Sequence, residues 1–180
     1  LVNDLLDLAK ATSGRSELVP AAFDLAAAVR HCVALSAPLA ARERVIVRTS
    51  FADGLPPALA DERSVRQIAL NILSNAIRFT GAGGQVIVST TRTRHGGLML
   101  SVRDTGPGMN SEEIEAALTP FRQISSTRRG DGTGLGLPLS KALVEANGGT
   151  FAITSAAETG TLVEIQLRAG LAPPEVVAAE

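Results

Sequence analysis

The sequence predicts an α+β sandwich, with helices layered on one face of a mixed, mostly antiparallel sheet. Three observations carry that expectation. Gln85–Thr93 and Leu98–Arg103 alternate apolar and polar residues on either side of a Gly96-Gly97 turn. Thr150–Thr154 and Thr161–Leu167 do the same around Glu158-Thr159-Gly160. Helical stretches near 25–41, 61–79 and 136–147 are set between the strands, and hairpins with interposed helices bury their apolar faces as one sheet beneath one helical layer.

The elements follow in order. Residues 1–10 repeat apolar positions at Leu1, Leu5 and Leu8, an amphipathic helix too short to stand alone. Residues 11–19, polar and containing Ser13, Gly14 and Ser16, read as a linker, and a single domain is expected over 20–168. Asp24 is placed to cap the helix near 25–41. Val45–Arg48 is a short strand, followed by a Pro56-Pro57 turn, and Asp61 is placed to cap the helix 61–79. Asn110 and Glu113 resemble the capping box of a short helix over 110–118, ended by Pro120. Ser125–Thr133 is polar, basic and glycine-rich, which predicts a mobile loop. Asn147-Gly148-Gly149 stops the helix that starts near 136, and residues 169–180 read as a frayed tail.

Composition narrows the function. The chain has 180 residues, 45% of them hydrophobic and 19% charged, enough for one domain with a short appendage. Trp and Tyr are absent, so the core is aliphatic. A net charge of −1 supplies no field to attract nucleic acid, and any anion must be held by a local site. Cys32 stands alone, which excludes an internal disulfide and a cysteine-built zinc site; it reads as a small buried residue on a helix. No apolar run approaches the roughly 18 residues of a membrane span, so no direct membrane contact is expected. The chain opens in mid-helix, without Met or a signal peptide, and is expected to be a piece of a longer protein.

Three motifs carry chemistry. In 61–79, Gln67, Asn71, Asn75 and Arg78 line one stripe of an otherwise apolar helix. A buried amide left unpaired costs ~1–3 kcal/mol. The asparagines therefore either bond neighbouring backbone or face a cleft, where an amide oxygen can ligate a hard cation such as magnesium. The second motif is Asp104-Thr105-Gly106-Pro107-Gly108-Met109, at a strand end. There a carboxylate can accept from an amino group, Gly106 and Gly108 let backbone approach a flat ligand, and Met109 offers a soft surface; a plain turn is the alternative. The third is Gly130-Asp131-Gly132-Thr133-Gly134-Leu135-Gly136-Leu137-Pro138, glycines running into a helix with Pro138 in its first turn. Bare amides at such a helix start can hold phosphate, whereas a flexible hinge would explain the glycines alone. The motif is neither a Walker A loop nor a dinucleotide fingerprint.

The combination is more specific than any part. Gln67–Thr80 resembles the N box of bacterial histidine kinases, Asp104–Met109 their first glycine box, Pro120-Phe121 their F box, and Gly132–Leu137 their second glycine box. The resemblance covers about residues 20–168 and implies an ATP-binding sandwich of the Bergerat type. It implies that Asp104 reads the adenine amine and that Gly106, Gly108 and Met109 line the base pocket. It places Asn75 on magnesium, Asn71 and Arg78 near the phosphates, and Gly132, Thr133, Gly134, Leu135 and Gly136 around them. Thr161 is expected beside Asp104, and residues 110–131, with Arg128 and Arg129, form an ATP lid.

Two departures bear on the reaction. Neither His31 nor His95 fits the phosphoacceptor motif, and residues 1–10 resemble the tail of a dimerisation hairpin, which puts the acceptor upstream. Arg78 stands where lysine is common, keeping the charge but not its geometry. The resemblance thus implies a cytoplasmic kinase domain using ATP and Mg2+, with the hairpin and a response-regulator receiver domain as partners. A degenerate, nucleotide-holding docking module and an anti-sigma-type serine kinase are the alternatives.

Overall fold

A computed structural model describes residues 2–14, 17–122 and 133–170. The chain runs α1 (Val2–Thr12), β1 (Ala21–Phe23), α2 (Leu25–Glu43), β2 (Ile46–Phe51), β3 (Ala58–Ala60) and α3 (Glu62–Thr80). It continues with β4 (Gln85–Arg92), β5 (Leu98–Asp104), α4 (Ser111–Leu118), α5 (Gly136–Ala146), β6 (Thr150–Ala156) and β7 (Gly160–Leu167). Five strands form one sheet in the order β2-β4-β5-β7-β6, with β2 and β4 parallel and every other pair antiparallel.

One face of that sheet is apolar. Val86, Val88, Leu98, Leu100, Val102, Val163, Ile165 and Leu167 are buried, in a single cluster with Ile68, Ile72, Leu73 and Ile77 of α3 and Leu139 and Leu143 of α5. The strand residues between them are more exposed, as period-two alternation requires. This is the expected two-layer sandwich, and Cys32 lies buried on α2 as expected.

The caps are where the side-chain types placed them. Asp24 accepts from the Ala27 amide at 2.9 Å, and Asn110 and Glu113 form a reciprocal capping box. Asp61 does more than cap α3. Its Oδ1 accepts from the Ser64 amide and hydroxyl, both at 2.7 Å, and its Oδ2 accepts from Val19 N at 3.0 Å. Its own N–H donates to Asn147 Oδ1 at 2.8 Å, so one residue ties α3, the segment before β1 and the end of α5 together. Burial works to raise the Asp61 carboxyl, but the Ser64 and Val19 donors and the Arg63 charge outweigh it and hold the group below its usual range.

Several boundaries differ from expectation. α1 continues to Thr12, so the first two linker residues are helical. β2 runs on to Phe51, because its parallel pairing with β4 extends from Ile46↔Gln85 to Phe51↔Thr90. The alanine-rich strands β1 and β3 show no alternation in the sequence and pair with each other, Ala21↔Ala60 to Phe23↔Ala58, with Ala58 also bridging Ala169. The chain beyond β7 steadies them: Leu59 N donates to Arg168 O at 2.9 Å and Gly170 N to Pro57 O at 2.7 Å. Most of the expected mobile loop, including Arg128, Arg129 and Gly132, lies outside the described residues.

Candidate ATP site

The site is assembled at one end of the sheet, around the C-terminal half of α3. Asp104, the last residue of β5, is only 8% exposed. Its Oδ1 accepts from Gly106 N at 2.8 Å and Thr161 N at 3.1 Å. Among the described residues no donor reaches Oδ2. Burial pushes the Asp104 carboxyl above its usual range, against the pull of those two backbone donors. The result is a half-satisfied, desolvated carboxylate held rigidly by backbone, suited to receive an N–H donor from a ligand.

The glycines here are required by close approach. A Cβ on Gly106 would stand 2.8 Å from the Phe79 carbonyl and 2.9 Å from Asp104 Oδ1. Gly108, at φ +70°, passes so near the Ala156 carbonyl that a Cβ would overlap it. Met109 follows, half-buried, its N–H donating to Ser155 Oγ at 2.8 Å. Thr161 does lie beside Asp104, on the neighbouring strand, and its hydroxyl pairs with that of Ser155 at 2.9 Å.

The polar stripe of α3 divides in two. Gln67 Nε2 donates to Asp7 Oδ2 of α1 at 3.3 Å, so the first turn of the stripe holds α1 and not the cleft. Asn71 and Asn75 are half-buried, and their amides have no hydrogen-bond partner among the described residues. Arg78 is exposed in the last turn. Asn75 Nδ2 lies 3.7 Å from the point a Cβ on Gly136 would occupy, so α3 faces the start of α5 directly. The two glycine boxes thus border the same stretch of helix, one at Phe79 and the other at Asn75.

The second glycine box is stitched to the F box. Phe121 N donates to Gly134 O at 3.1 Å, and Phe121 itself sits in the left-handed region at φ +65°. A Cβ on Gly134, φ +69°, would stand 2.9 Å from the Arg122 carbonyl. Leu135 is fully buried and anchors the turn. Thr133 is exposed, its hydroxyl accepting from Leu135 N at 3.3 Å, and α5 begins with no side-chain cap on its N-terminus. Gly132 lies outside the described residues. Ser155 is the residue that motif reading missed. Its signal was the register of the β6–β7 hairpin, where it stands opposite Thr161.

No cluster of three His, Cys, Asp or Glu side chains able to hold a metal occurs among the described residues. A cation here would have to take amide and phosphate oxygens. Asn75 and Asn71, without partners among the described residues, fit magnesium, which accepts a few protein oxygens and completes its shell from substrate.

Fold and site together define an ATP-binding sandwich domain. Residues 60–171 match the family described as histidine kinase-, DNA gyrase B-, and HSP90-like ATPase. The chain belongs to that family. It is 51% identical over 175 residues to the cell-division control histidine kinase PdhS of Brucella canis, an alignment covering 92% of this chain and 17% of that protein. PdhS of Brucella abortus (strain S19) matches equally. The chain therefore spans 17% of the length of these relatives. Among solved structures, full-length ShkA in complex with AMPPNP superposes with a TM-score of 0.82 at 31% identity, over 96% of this chain and 36% of that one. The Acinetobacter baumannii histidine kinase AdeS shares the fold, with a TM-score of 0.77 at 23% identity over 94% of this chain and 77% of its own. The curated relatives it matches are named as histidine kinases, and the matched family is one of ATPases.

Proposed function

We propose that this domain transfers the γ-phosphoryl group of ATP to a histidine on an upstream helical hairpin, for relay to an aspartate of a response-regulator receiver domain. The observation that carries the reading is a buried Asp104 carboxylate with a free Oδ2, and Asn71 and Asn75 amides on α3, none of which finds a further partner among the described residues. Phosphoryl transfer asks a protein mainly for positioning and charge neutralisation. Asp104 accepts from the adenine amine, with Gly106, Gly108, Met109 and Thr161 around the base. Asn71 and Arg78 approach the phosphates, and Thr133, Gly134, Leu135 and Gly136, with Gly132, cradle them at the start of α5. Mg2+, held by Asn75, supplies charge neutralisation at the phosphate oxygens when bound. Residues 110–131 act as the ATP lid.

α1 is read as the tail of the dimerisation hairpin, 11–19 as its linker, and 20–168 as the catalytic unit. No helix among the described residues is long and apolar enough to cross a membrane, and ATP as substrate favours a cytoplasmic setting.

Calorimetric titration of ATP with and without magnesium tests the site. Asn75→Ala is expected to abolish the magnesium-dependent part of the affinity, and Asp104→Asn to weaken binding about tenfold. Unchanged affinity in both variants would refute the assignment. Mixing the domain with a hairpin bearing the phosphoacceptor histidine and labelled ATP then tests the transfer, which is absent if the domain only binds nucleotide.

A further inference from the structure

Asp104, Thr161 and Ser155 make a lateral polar row at the end of the sheet. Ser155 pairs with Thr161 in the β6–β7 ladder, and Thr161 N reaches Asp104 one residue beyond the last β5–β7 pair, Arg103↔Leu162. The next row inward, Val102, Val163 and Ile153, belongs to the apolar core. Among the described residues Ser155 Oγ has three hydrogen-bond partners: Met109 N at 2.8 Å, the Gly160 carbonyl at 2.9 Å and Thr161 Oγ1 at 2.9 Å.

A hydroxyl has one proton and two lone pairs. The Met109 amide can only donate, and the Gly160 carbonyl can only accept. The Ser155 proton therefore goes to Gly160, or two oxygens would face each other without a proton between them. Thr161 must then donate its own proton to Ser155. That leaves Thr161 Oγ1, on the residue whose backbone N–H holds Asp104 Oδ1, with lone pairs alone.

We propose that Ser155 is a specificity-determining positioning residue: by consuming the Thr161 proton and holding the Met109 amide, it keeps the base pocket an all-acceptor surface that selects 6-amino over 6-oxo purine nucleotides. This rests on the reading of Asp104 as the acceptor for the base. A 6-amino group meets these acceptors with donors, whereas a 6-oxo group meets them with another acceptor and stays unpaired. Ser155 touches no substrate in this scheme and acts through Thr161 and Met109.

The test compares ATP with inosine triphosphate, each with magnesium, by calorimetry on the 180-residue chain. The wild type prefers ATP. In Ser155→Ala the freed Thr161 hydroxyl can turn and donate to the 6-oxo group, so the preference falls about fivefold or more, and Ser155→Thr retains it. Thr161→Val lowers the preference comparably, and the double variant lowers it no further than either single one. A general loosening would weaken both nucleotides together and leave the ratio alone. A preference within about twofold of wild type in both single variants, with Asp104→Asn still weakening ATP, overturns the role of Ser155. Failure of Ser155→Thr to retain the preference overturns it as well. If Asp104→Asn leaves ATP binding intact, the role of Ser155 falls together with the base-site reading.

Discussion

At the scale of the residue, function and stability oppose each other at Asp104. Its folded-state pKa is raised, so the native state binds the proton more tightly than the unfolded chain, and stability falls as pH rises through the window between the two values. The ionised carboxyl is thus a stability cost at neutral pH. Asp104→Asn is expected to leave the melting temperature of the nucleotide-free domain at pH 7 unchanged or higher while ATP binding drops, and to flatten the acid-side rise in stability; thermal unfolding across pH 4–7 reads both. Gly160 shows the second residue-scale constraint. It sits at φ +83°, and a Cβ would overlap the Asp104 carbonyl. Gly96 has nearly the same φ, +84°, with nothing within 4 Å. Gly96→Ala is expected to cost about 1 kcal/mol from backbone strain alone, and Gly160→Ala about 2 kcal/mol or more, with urea denaturation separating them. Gly160 was visible in the sequence only as a turn glycine; the contact that makes it demanding comes from a residue more than fifty positions away.

At the scale of the element, the helices were legible because their signals are local. Asp24, Asp61 and Asn110 each stand three residues before the amide they cap, and that spacing can be read without knowing the fold. The rest of the work of Asp61, to Val19 and Asn147, cannot be read that way. Because its carboxylate holds Val19 as well as the start of α3, Asp61→Ala is expected to cost about 2 kcal/mol, near the upper end for a lost cap, while the backbone bond to Asn147 stays. Its folded pKa is lowered, so its contribution is present above the unfolded value and is lost as pH falls through the folded one; the difference between wild type and variant in chemical denaturation should close in acid. β1 and β3 were invisible because three alanine-rich residues carry no periodicity, and each exists only because the other, and the chain after β7, lies alongside.

At the scale of the whole molecule, α1 is secured on one side only. It rests on α5 through Leu8 and Ala11, with Gln67 holding Asp7, and a helix of 11 residues is marginal alone. Leu8→Ala is therefore expected to release α1 without unfolding the sandwich. Hydrogen exchange should accelerate across residues 2–12 while the amides of β5 and β7 keep their protection. Loss of protection in the strands as well would show that α1 is part of the cooperative unit.

The sequence by itself determined what depends on neighbours along the chain: the periods of the helices and strands, their caps, and the types and order of the boxes around the ATP site. Only the tertiary structure decided what depends on approach between distant segments. It brought Gly106 against Phe79 and Gly136 against Asn75, gave Gln67 to α1, and set Ser155 against Thr161 and Met109. Periodicity and caps arise from interactions within four residues, so the letters carry them. Which backbone passes within a Cβ of another is settled by sheet order and by the packing of helices on it, and no local pattern records that.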